Sequence, residues 1–260
     1  MRTFLYSFEA GASRPAVRVL APLRPAGSSD CGYGRVVGDR TEQIVGQGRS
    51  SVVYDLSNGT VLRRYRDESQ SAHTDAVAMR AAAAAGVRVP RVHSAAGPDL
   101  VMDAVEGPTM LADLLVHPDR AERYGGVLAD LHRGLDRVPF RSGAGLVHGD
   151  LHPGNVLMSA DGAVLVDWTN SRWAQRSLDV AITWVVLACF GAADPAVEAA
   201  IGSVRVPLLN GFLAAVDRTA AAASLWQAAG IRHGDPATLP EEHNRIDQLC
   251  LAFAPDMRDS

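Results

Sequence analysis

The chain contains no lysine: all 25 of its basic residues are arginine. Lysine is therefore excluded from every mechanistic role, including the phosphate-binding point charge that it often supplies. Cysteine is scarce as well, and Cys31, Cys189 and Cys250 show the spacing of neither a metal site nor a disulfide framework. This usage favours a reducing compartment, and we expect a cytoplasmic protein.

Two further features missing from the sequence bear on binding to nucleic acids and to membranes. The net charge is -4 and the isoelectric point is about 6.0, so the basic surplus typical of nucleic-acid binders is missing. The longest apolar run that we identify, around Ile182 to Phe190, is too short to span a membrane. We expect no nucleic-acid partner and no membrane. A monomer is favoured, although the sequence does not determine the oligomeric state.

The 260 residues divide into three stretches of different composition. Residues 1–40 are rich in Gly, Ser, Pro and Arg and are predicted to form an extension that is partly disordered. Residues 41–105 alternate as short strands around turns such as Asn58-Gly59, with one helix that ends at Gly86. Residues 106–260 are predicted to be mainly helical, with helices over 109–115, 121–135, 177–190, 207–230 and 241–253. A small β-rich half and a larger α-rich half suggest a cleft between two lobes.

One polar segment, Leu146 to Trp168, interrupts the helical half. Its loop leads into two apolar runs, 156–158 and 163–166, and the Asp161-Gly162 turn between them predicts a hairpin. Such a hairpin would return Asp167 to the side of Asn155, with Asp150 overlooking the same point. Carboxylate and amide oxygens are ligands that Mg²⁺ accepts, and the remaining carboxylate could take a proton.

The loop HGDLHPGN followed by Asp167-Trp168 resembles the aminoglycoside phosphotransferase and choline kinase-like family, whose members are relatives of the protein kinases. The resemblance covers about residues 41–181. It implies an α+β fold of the two-lobed protein-kinase type, with residues 41–105 as a small antiparallel N-lobe with one helix and 106–260 as a helical C-lobe. Asp150 would then orient or deprotonate the acceptor hydroxyl, while Asn155 and Asp167 would hold Mg²⁺ at the nucleotide phosphates.

The resemblance also gives roles to histidines and to a later carboxylate. His152 stands where protein kinases carry a lysine near the transferred phosphate, and both a catalytic role and a packing role stay open. His148 is interpreted mainly as a structural histidine that bridges loop backbone groups. Asp179 is interpreted as a carboxylate that braces the loop.

The upstream turn VGQGRSSVV is a partial match to the Gly-rich loop of kinases. Gly46 and Gly48 are present, but Ser51 replaces the third glycine. The backbone N–H groups of this turn, with the hydroxyls of Ser50 and Ser51, would cover the phosphates; an ordinary hairpin turn is the alternative.

The expected phosphate-pairing lysine is replaced by Arg63, and the glutamate that usually pairs with it by Asp75. Strand alternation predicts that Arg63 faces the cleft and Arg64 the other side, with surface charge as the alternative. The segment from Met102 to Gly107 resembles the interlobe hinge, so that the backbone around Asp103 and Val105 would contact adenine.

The sequence therefore predicts a small-molecule kinase that uses ATP, or GTP, with Mg²⁺ to phosphorylate a hydroxyl of an aminoglycoside-like antibiotic, a sugar or an amino alcohol. A nucleotide-binding pseudokinase with a regulatory role is the alternative, slightly favoured by the missing lysine. A protein acceptor is disfavoured because no activation segment is recognisable between Asp167 and Asp179.

Overall fold

The structure is a computed structural model that describes residues 43–141 and 143–254. The predicted extension, residues 1–40, lies outside the described residues. The chain divides into two compact units, the first with residues 43–72 and 93–104 and the second with residues 73–92 and 105–254. The domain boundaries given by the sequence, 1–40, 41–105 and 106–260, stay predictions.

The first unit contains a five-stranded antiparallel sheet in the order β1-β2-β3-β5-β4. Its strands are β1 (Gln43–Gln47), β2 (Ser51–Asp55), β3 (Thr60–Tyr65), β4 (Val92–Ala96) and β5 (Asp99–Asp103). In β3 the side chain of Arg63 is only 5% exposed, whereas Arg64 points to the other face and is exposed. There Arg64 Nε donates to Asp99 Oδ1 at 2.6 Å. The predicted alternation of the two arginines is confirmed.

The second unit is mainly helical. Its helices are α1 (Ala72–Ala84, from His73 onward in this unit), α2 (Met110–Val116), α3 (Ala121–Leu135), α4 (Arg176–Cys189), α5 (Pro195–Leu213), α6 (Arg218–Ala222), α7 (Leu225–His233) and α8 (Pro240–Phe253). Helix α1 stops where the sequence predicted, because Gly86 takes φ +85° and Val87 N–H donates back to the carbonyl of Ala82 at 3.0 Å.

The single helix predicted over 207–230 is wrong, because this stretch belongs to three helices. Helix α5 starts twelve residues earlier, at Pro195, where the Asp194 carboxylate accepts from the N–H groups of Ala196 and Val197. Pro207 thus lies inside α5 rather than at its start. Asp217 caps α6 by accepting from Ala220 N–H at 3.0 Å, which separates α6 from α5.

Helix α5 packs closely on α3 at two glycines. A Cβ atom on Gly125 would lie 2.2 Å from the carbonyl oxygen of Leu208, and one on Gly211 would lie 1.9 Å from that of Glu122. Larger residues at either place would push the two helix backbones apart. Among the described helices, α5 is also long and apolar enough to cross a membrane by length and composition alone. The absence of a membrane partner stays a prediction.

Two small pairs of antiparallel strands hold the polar segment in place. The predicted hairpin is present as β7 (Val156–Ser159) and β8 (Gly162–Leu165), and the unpredicted pair is β6 (Gly145–Val147) with β9 (Arg172–Ala174). The loop 148–155 connects β6 to β7, and the segment 166–171 connects β8 to β9. Because both connections run between paired strands, their polar side chains are held at fixed positions.

Candidate active site

The loop 148–155, called the polar loop below, is anchored through its backbone on helix α4 by the carboxylate of Asp179. Asp179 Oδ2 accepts from His148 N–H at 2.9 Å, and Oδ1 accepts from Gly149 N–H at 2.7 Å. Burial raises the pKa of Asp179, but His132 and the N–H of His148 outweigh this effect and hold the pKa below its usual value. The expectation that Asp179 braces the loop is confirmed.

A second anchor lies one helical turn later. Thr183 Oγ1 donates to the Leu151 carbonyl at 2.7 Å, and the Nε2 of His132, from α3, lies 2.9 Å from the same hydroxyl. Because the hydroxyl proton goes to Leu151, His132 Nε2 must carry the proton of its bond. The opposite ring atom, Nδ1, lies 3.5 Å from Asp179 Oδ2. Sequence reasoning missed His132 and Thr183, since neither belongs to a local motif.

Removing the charge of Asp179 should destabilise the fold. In Asp179→Asn one of the two loop N–H groups would face an amide NH₂, so we expect a loss of about 2–4 kcal/mol in the free energy of unfolding. Urea denaturation near pH 7 measures it, with Asp119→Asn, an exposed carboxylate, as the matched control. The wild-type contribution is present above the ordinary aspartate pKa and is lost only as the pH falls below about 4. A loss no larger than that of the control would contradict the bracing role.

Gly149 has the conformation and the surroundings that only glycine tolerates. Its φ is +78°, and a Cβ atom there would lie 2.5 Å from the carbonyl oxygen of Asn170. The residue before Asp150 is therefore held against the 166–171 segment, so the two connections described above lie together.

His148 joins the loop to the strand end that carries Asp167. The ring is fully buried, its Nε2 lies 3.1 Å from the Val166 carbonyl, and the indole of Trp168 packs against it edge-on. Burial lowers the pKa of His148, so the ring is neutral and Nε2 donates to Val166. The interpretation of His148 as a structural histidine that bridges backbone groups is confirmed.

Asp150 is a partly exposed carboxylate close to a histidine. Its side chain is 28% exposed, and Oδ2 lies 3.7 Å from His152 Nε2, an electrostatic contact too long for a hydrogen bond. Burial raises the pKa of Asp150, but His152, with smaller effects of His148 and of Arg232 from α7, more than compensates and brings the pKa to about 2. The carboxylate is therefore ionised at neutral pH. Sequence reasoning missed Arg232, which lies far along the chain from the loop.

The ring of His152 is oriented by its own loop. His152 Nδ1 accepts from Gly154 N–H at 3.0 Å, so the proton of the neutral ring resides on Nε2, the atom that faces Asp150. This geometry is compatible with both roles that the sequence left open, because the ring stabilises the loop turn and also presents a donor beside the carboxylate.

Asn155 lies next to Asp150 and has a defined amide orientation. Its Nδ2 donates to the backbone carbonyl of Asp150 at 2.9 Å and lies 3.4 Å from Asp150 Oδ2. The amide nitrogen is thus turned towards Asp150, which directs the oxygen Oδ1 away from it. The carbonyl of Asn155 also accepts from Val166 N–H at 2.9 Å. The predicted hairpin therefore brings Asn155 to Val166, the residue that precedes Asp167.

Asp167 has a strained backbone at the end of the hairpin. Its φ is +60°, in the left-handed region, which is uncommon for a residue other than glycine. The side chain is exposed, and Oδ1 accepts from Thr169 Oγ1 at 2.8 Å. Conformations of this kind tend to persist at functional sites, where the surrounding structure enforces them.

The side-chain oxygens of Asn155 and Asp167 are of the kinds that Mg²⁺ accepts as ligands. Within residues 43–141 and 143–254, no group of three or more His, Cys, Asp or Glu side chains is placed to hold a metal. Asn155 and Asp167 together supply one amide oxygen and one carboxylate. Mg²⁺ is usually bound by one or two protein carboxylates together with substrate phosphates and water, so a sparse protein set is the expected one.

In the first unit, the glycine-containing turn is closed by its own hydrogen bonds. Gly48 N–H donates to the Ser51 carbonyl at 2.9 Å, and the Ser50 carbonyl accepts from Arg66 N–H at 2.8 Å. Ser51 Oγ accepts from Arg63 Nε at 3.0 Å, which leaves its hydroxyl proton able to donate. Gly46 pairs with Val53 across β1 and β2, beside a bulge. A phosphate role for Gly46, Gly48, Ser50 and Ser51 stays a prediction.

Arg63 and Asp75 are both buried charged residues. Arg63 is 5% exposed, and its guanidinium carbon lies 4.9 Å from the ring centre of Tyr65. Asp75, in the first turn of α1, is 2% exposed. Neither is a solvated surface charge, so that alternative is excluded. Buried charges require partners of opposite charge or several hydrogen bonds; the pairing of the two with each other stays a prediction.

The predicted hinge residues differ in their surroundings. Asp103 ends β5, and its Oδ1 lies 2.6 Å from His93 Nε2. Val105 is partly exposed and begins the connection to α2. Further along, Pro108 accepts from Met158 N–H at 2.8 Å, which fixes the end of this connection on the hairpin. Adenine binding by the backbone of Asp103 and Val105 stays a prediction.

Comparison with protein families gives two partial matches. Residues 135–223, which include the polar loop, Asn155, Asp167 and Asp179, match the model of the phosphotransferase enzyme family. The predicted family resemblance is confirmed over this stretch. An overlapping stretch, residues 59–176, matches the model of the RIO domain. The predicted enzyme class, a small-molecule kinase, agrees with the phosphotransferase family match.

Solved structures of similar fold include kinases of small molecules. A Plasmodium vivax ethanolamine kinase is 10% identical, with 82% of this chain and 83% of that chain covered and a TM-score of 0.52. A choline/ethanolamine kinase family protein from Mesorhizobium loti is 15% identical over 85% and 88% of the chains, with a TM-score of 0.48. An ADP-bound aminoglycoside phosphotransferase, APH(2'')-Ib, is 10% identical over 84% and 94%, with a TM-score of 0.47. The predicted two-lobed protein-kinase-like fold class is confirmed. No curated protein sequence matches the chain.

The arginine at position 63, where kinases usually carry lysine, leads to a prediction about turnover. Arg63→Lys, although it restores the usual kinase residue, should lower turnover roughly tenfold or more, since a charge-assisted hydrogen bond contributes about 1.5–3 kcal/mol. Lysine lacks the planar fork with which arginine can hold the Ser51 hydroxyl and a second group together. In the predicted pair, lysine would also face the shorter acid Asp75, so adding Asp75→Glu should recover much of the loss.

A double-mutant cycle on the turnover number measures the coupling of these two changes. Arg64→Lys, on the opposite face of the same strand, is the matched control and should change turnover little. Independent, additive effects of Arg63→Lys and Asp75→Glu would mean that the two residues do not pair.

Proposed function

We propose that the protein transfers the γ-phosphoryl group of ATP, or GTP, to a hydroxyl of a small molecule in a Mg²⁺-dependent reaction. The observation that supports this most directly is the joint position of Asp150 and Asn155. The carboxylate of Asp150, with a pKa of about 2, is ionised, and Asn155 is held beside it with its amide oxygen turned away. In this proposal, one short loop carries separate groups for the acceptor and for the metal.

Asp150 accepts the hydrogen bond of the acceptor hydroxyl and aligns its oxygen with the γ-phosphorus. As the new oxygen–phosphorus bond forms and the bond to the β-phosphate oxygen breaks, the hydroxyl proton passes to the carboxylate. A carboxylate with a pKa of about 2 is a weak base at neutral pH. Asp150 therefore acts mainly by orientation and receives the proton late, as the loose transition state of phosphoryl transfer requires.

The remaining site residues hold the nucleotide. Asn155 and Asp167 would bind Mg²⁺, which neutralises charge on the phosphates when it is present. His148 keeps the backbone before Asp167 in place through the Val166 carbonyl. Arg63 and the Gly46–Ser51 turn are proposed to bind the phosphates, and the backbone at Asp103 and Val105 the base. His152 is proposed to donate from Nε2 towards the transferred group beside Asp150.

The acceptor is proposed to be a small molecule such as an aminoglycoside-like antibiotic, a sugar or an amino alcohol. Acidic side chains of the last third have partners within the fold: Glu242 lies 3.5 Å from Arg232, and Glu198 lies 3.1 Å from Arg245. They therefore give no reason to prefer a cationic acceptor over a neutral one.

An ATP-consumption screen of the purified protein tests the proposal. The panel contains aminoglycosides, macrolides, sugars and amino alcohols, each measured with Mg²⁺ and with EDTA, and with Asp150→Asn as the inactive control. We expect consumption that depends on one acceptor class, on Mg²⁺ and on Asp150, with the phosphorylated acceptor visible by mass spectrometry. Tight nucleotide binding without turnover of any acceptor would favour the pseudokinase alternative.

A further inference from the structure

Two cavities lie side by side along helix α3 in the second unit, and none of their lining residues belongs to the loop 148–155. The first has a volume of about 540 Å³ and lies between α3, the start of α2 and the β7–β8 turn. The second has a volume of about 280 Å³ and lies between α3 and the segment Gly86–Arg88. Val127 and Ala163 line both, so the two cavities form one continuous groove, here called the α3 groove.

The α3 groove has an apolar floor and a basic rim. Its floor includes Val127, Leu131, Met158 and Ala163. Five arginines line it, against two aspartates: Arg88, Arg120, Arg123, Arg133, Arg137, Asp113 and Asp130. An excess of positive charge around an apolar floor favours an occupant that is acidic and also carries apolar side chains.

Two of these arginines account for the excess positive charge of the groove. Arg120 Nη1 contacts the Asp113 carboxylate at 2.8 Å, Arg133 pairs with Asp130, and Arg88 lies 3.6 Å from the Asp161 carboxylate. Arg123 and Arg137 are exposed and have no carboxylate partner within residues 43–141 and 143–254. Arg123 instead stacks on Tyr124, whose hydroxyl donates to Asp113 at 2.6 Å, so it is held near the rim.

The length of the groove favours a peptide over a compact ligand. Helix α3 has 15 residues and is about 22 Å long, and groove-lining residues run from its first turn to its last. An extended chain covers this distance with about seven residues. Alternate side chains of an extended peptide point to opposite sides, so one set can meet the apolar floor while the other meets the arginines.

We propose that the α3 groove is a docking site for an acidic peptide segment of a partner protein, in which glutamate or aspartate alternates with small or apolar residues. None of the groove residues belongs to the site assigned to phosphoryl transfer. Docking would thus bring a partner protein to the enzyme without covering the residues proposed for phosphoryl transfer.

Fluorescence anisotropy with two labelled octapeptides tests the proposal on the full-length protein. One peptide contains four glutamates, two leucines and two alanines, and the other has lysine in place of glutamate. We expect saturable binding of the acidic peptide only, weakened by raising the NaCl concentration from 50 to 300 mM because the contacts are exposed.

Two charge reversals identify the site of binding. Arg123→Glu combined with Arg137→Glu should weaken binding of the acidic peptide roughly tenfold or more, while Arg218→Glu, an exposed arginine on α6, should not. Circular dichroism checks that each variant is folded. Equal binding of both peptides, no binding of either, or equal effects of the groove and control variants would overturn the proposal. Competition by millimolar inorganic phosphate beyond that of NaCl at equal ionic strength would instead indicate a small-anion site and would overturn it as well.

Discussion

Asp150→Asn is expected to lower phosphoryl transfer by at least about a hundredfold, the range over which a positioned acid–base group contributes, while nucleotide affinity stays unchanged. The carboxylate is proposed to act on the acceptor hydroxyl and not on the nucleotide. Asparagine keeps the size of the side chain but cannot take the proton. Asn155 should stay in place, because its stronger hydrogen bond goes to the backbone carbonyl of residue 150.

Single-turnover kinetics and calorimetric titration of the nucleotide measure the two effects separately. Asp119→Asn, an exposed aspartate of the same unit, is the control for the change of charge. Turnover at the wild-type rate would contradict the role of Asp150. A parallel loss of nucleotide affinity would assign the residue to the metal instead.

The low pKa of Asp150 has a consequence for the pH profile. Because that pKa lies at about 2, the carboxylate is ionised throughout the range from pH 5 to pH 8. Any fall in turnover between these values must therefore come from another group, and Asp150→Asn should lower turnover across the whole range.

Local patterns in the sequence were sufficient to predict the parts of the site whose residues lie close together in the chain. The Asp161-Gly162 turn determines the hairpin, and the hairpin alone brings Asn155 to Val166, one residue before Asp167. In β3, strand alternation was enough to bury Arg63 and expose Arg64. In each case the responsible pattern spans only a few residues.

The strands and side chains that hold the site in place could not be predicted in the same way. The strands β6 and β9 have three residues each and are more than twenty residues apart, which is too short for a periodic pattern. His132 and Thr183 meet because α3 and α4 both pack on α5, and the charge of Arg232 reaches Asp150 from α7. The error over 207–230 was avoidable, since Asp194-Pro195 and Asp217 are ordinary helix-start signals.

Removing the carboxylate of Asp167 is expected to abolish the Mg²⁺ dependence of nucleotide binding. A change in a group that only orients a metal ligand typically lowers metal affinity 10–100-fold, so loss of a direct ligand should cost at least about tenfold in Mg–nucleotide affinity. Of the two proposed protein ligands of the metal, Asn155 alone would then remain.

The backbone at Asp167 determines which variants make this test decisive. With φ at +60°, Asp167→Ala adds strain of about 1–2 kcal/mol from the left-handed conformation, whereas Asp167→Gly does not. Both variants should lose the Mg²⁺-dependent part of nucleotide binding equally, although Asp167→Ala unfolds at a lower temperature. Thr169→Val removes only the hydroxyl that donates to Asp167 and should retain most of the affinity. Calorimetry with and without EDTA measures each case, and unchanged Mg–nucleotide affinity in Asp167→Gly would exclude Asp167 as a metal ligand and favour the pseudokinase alternative.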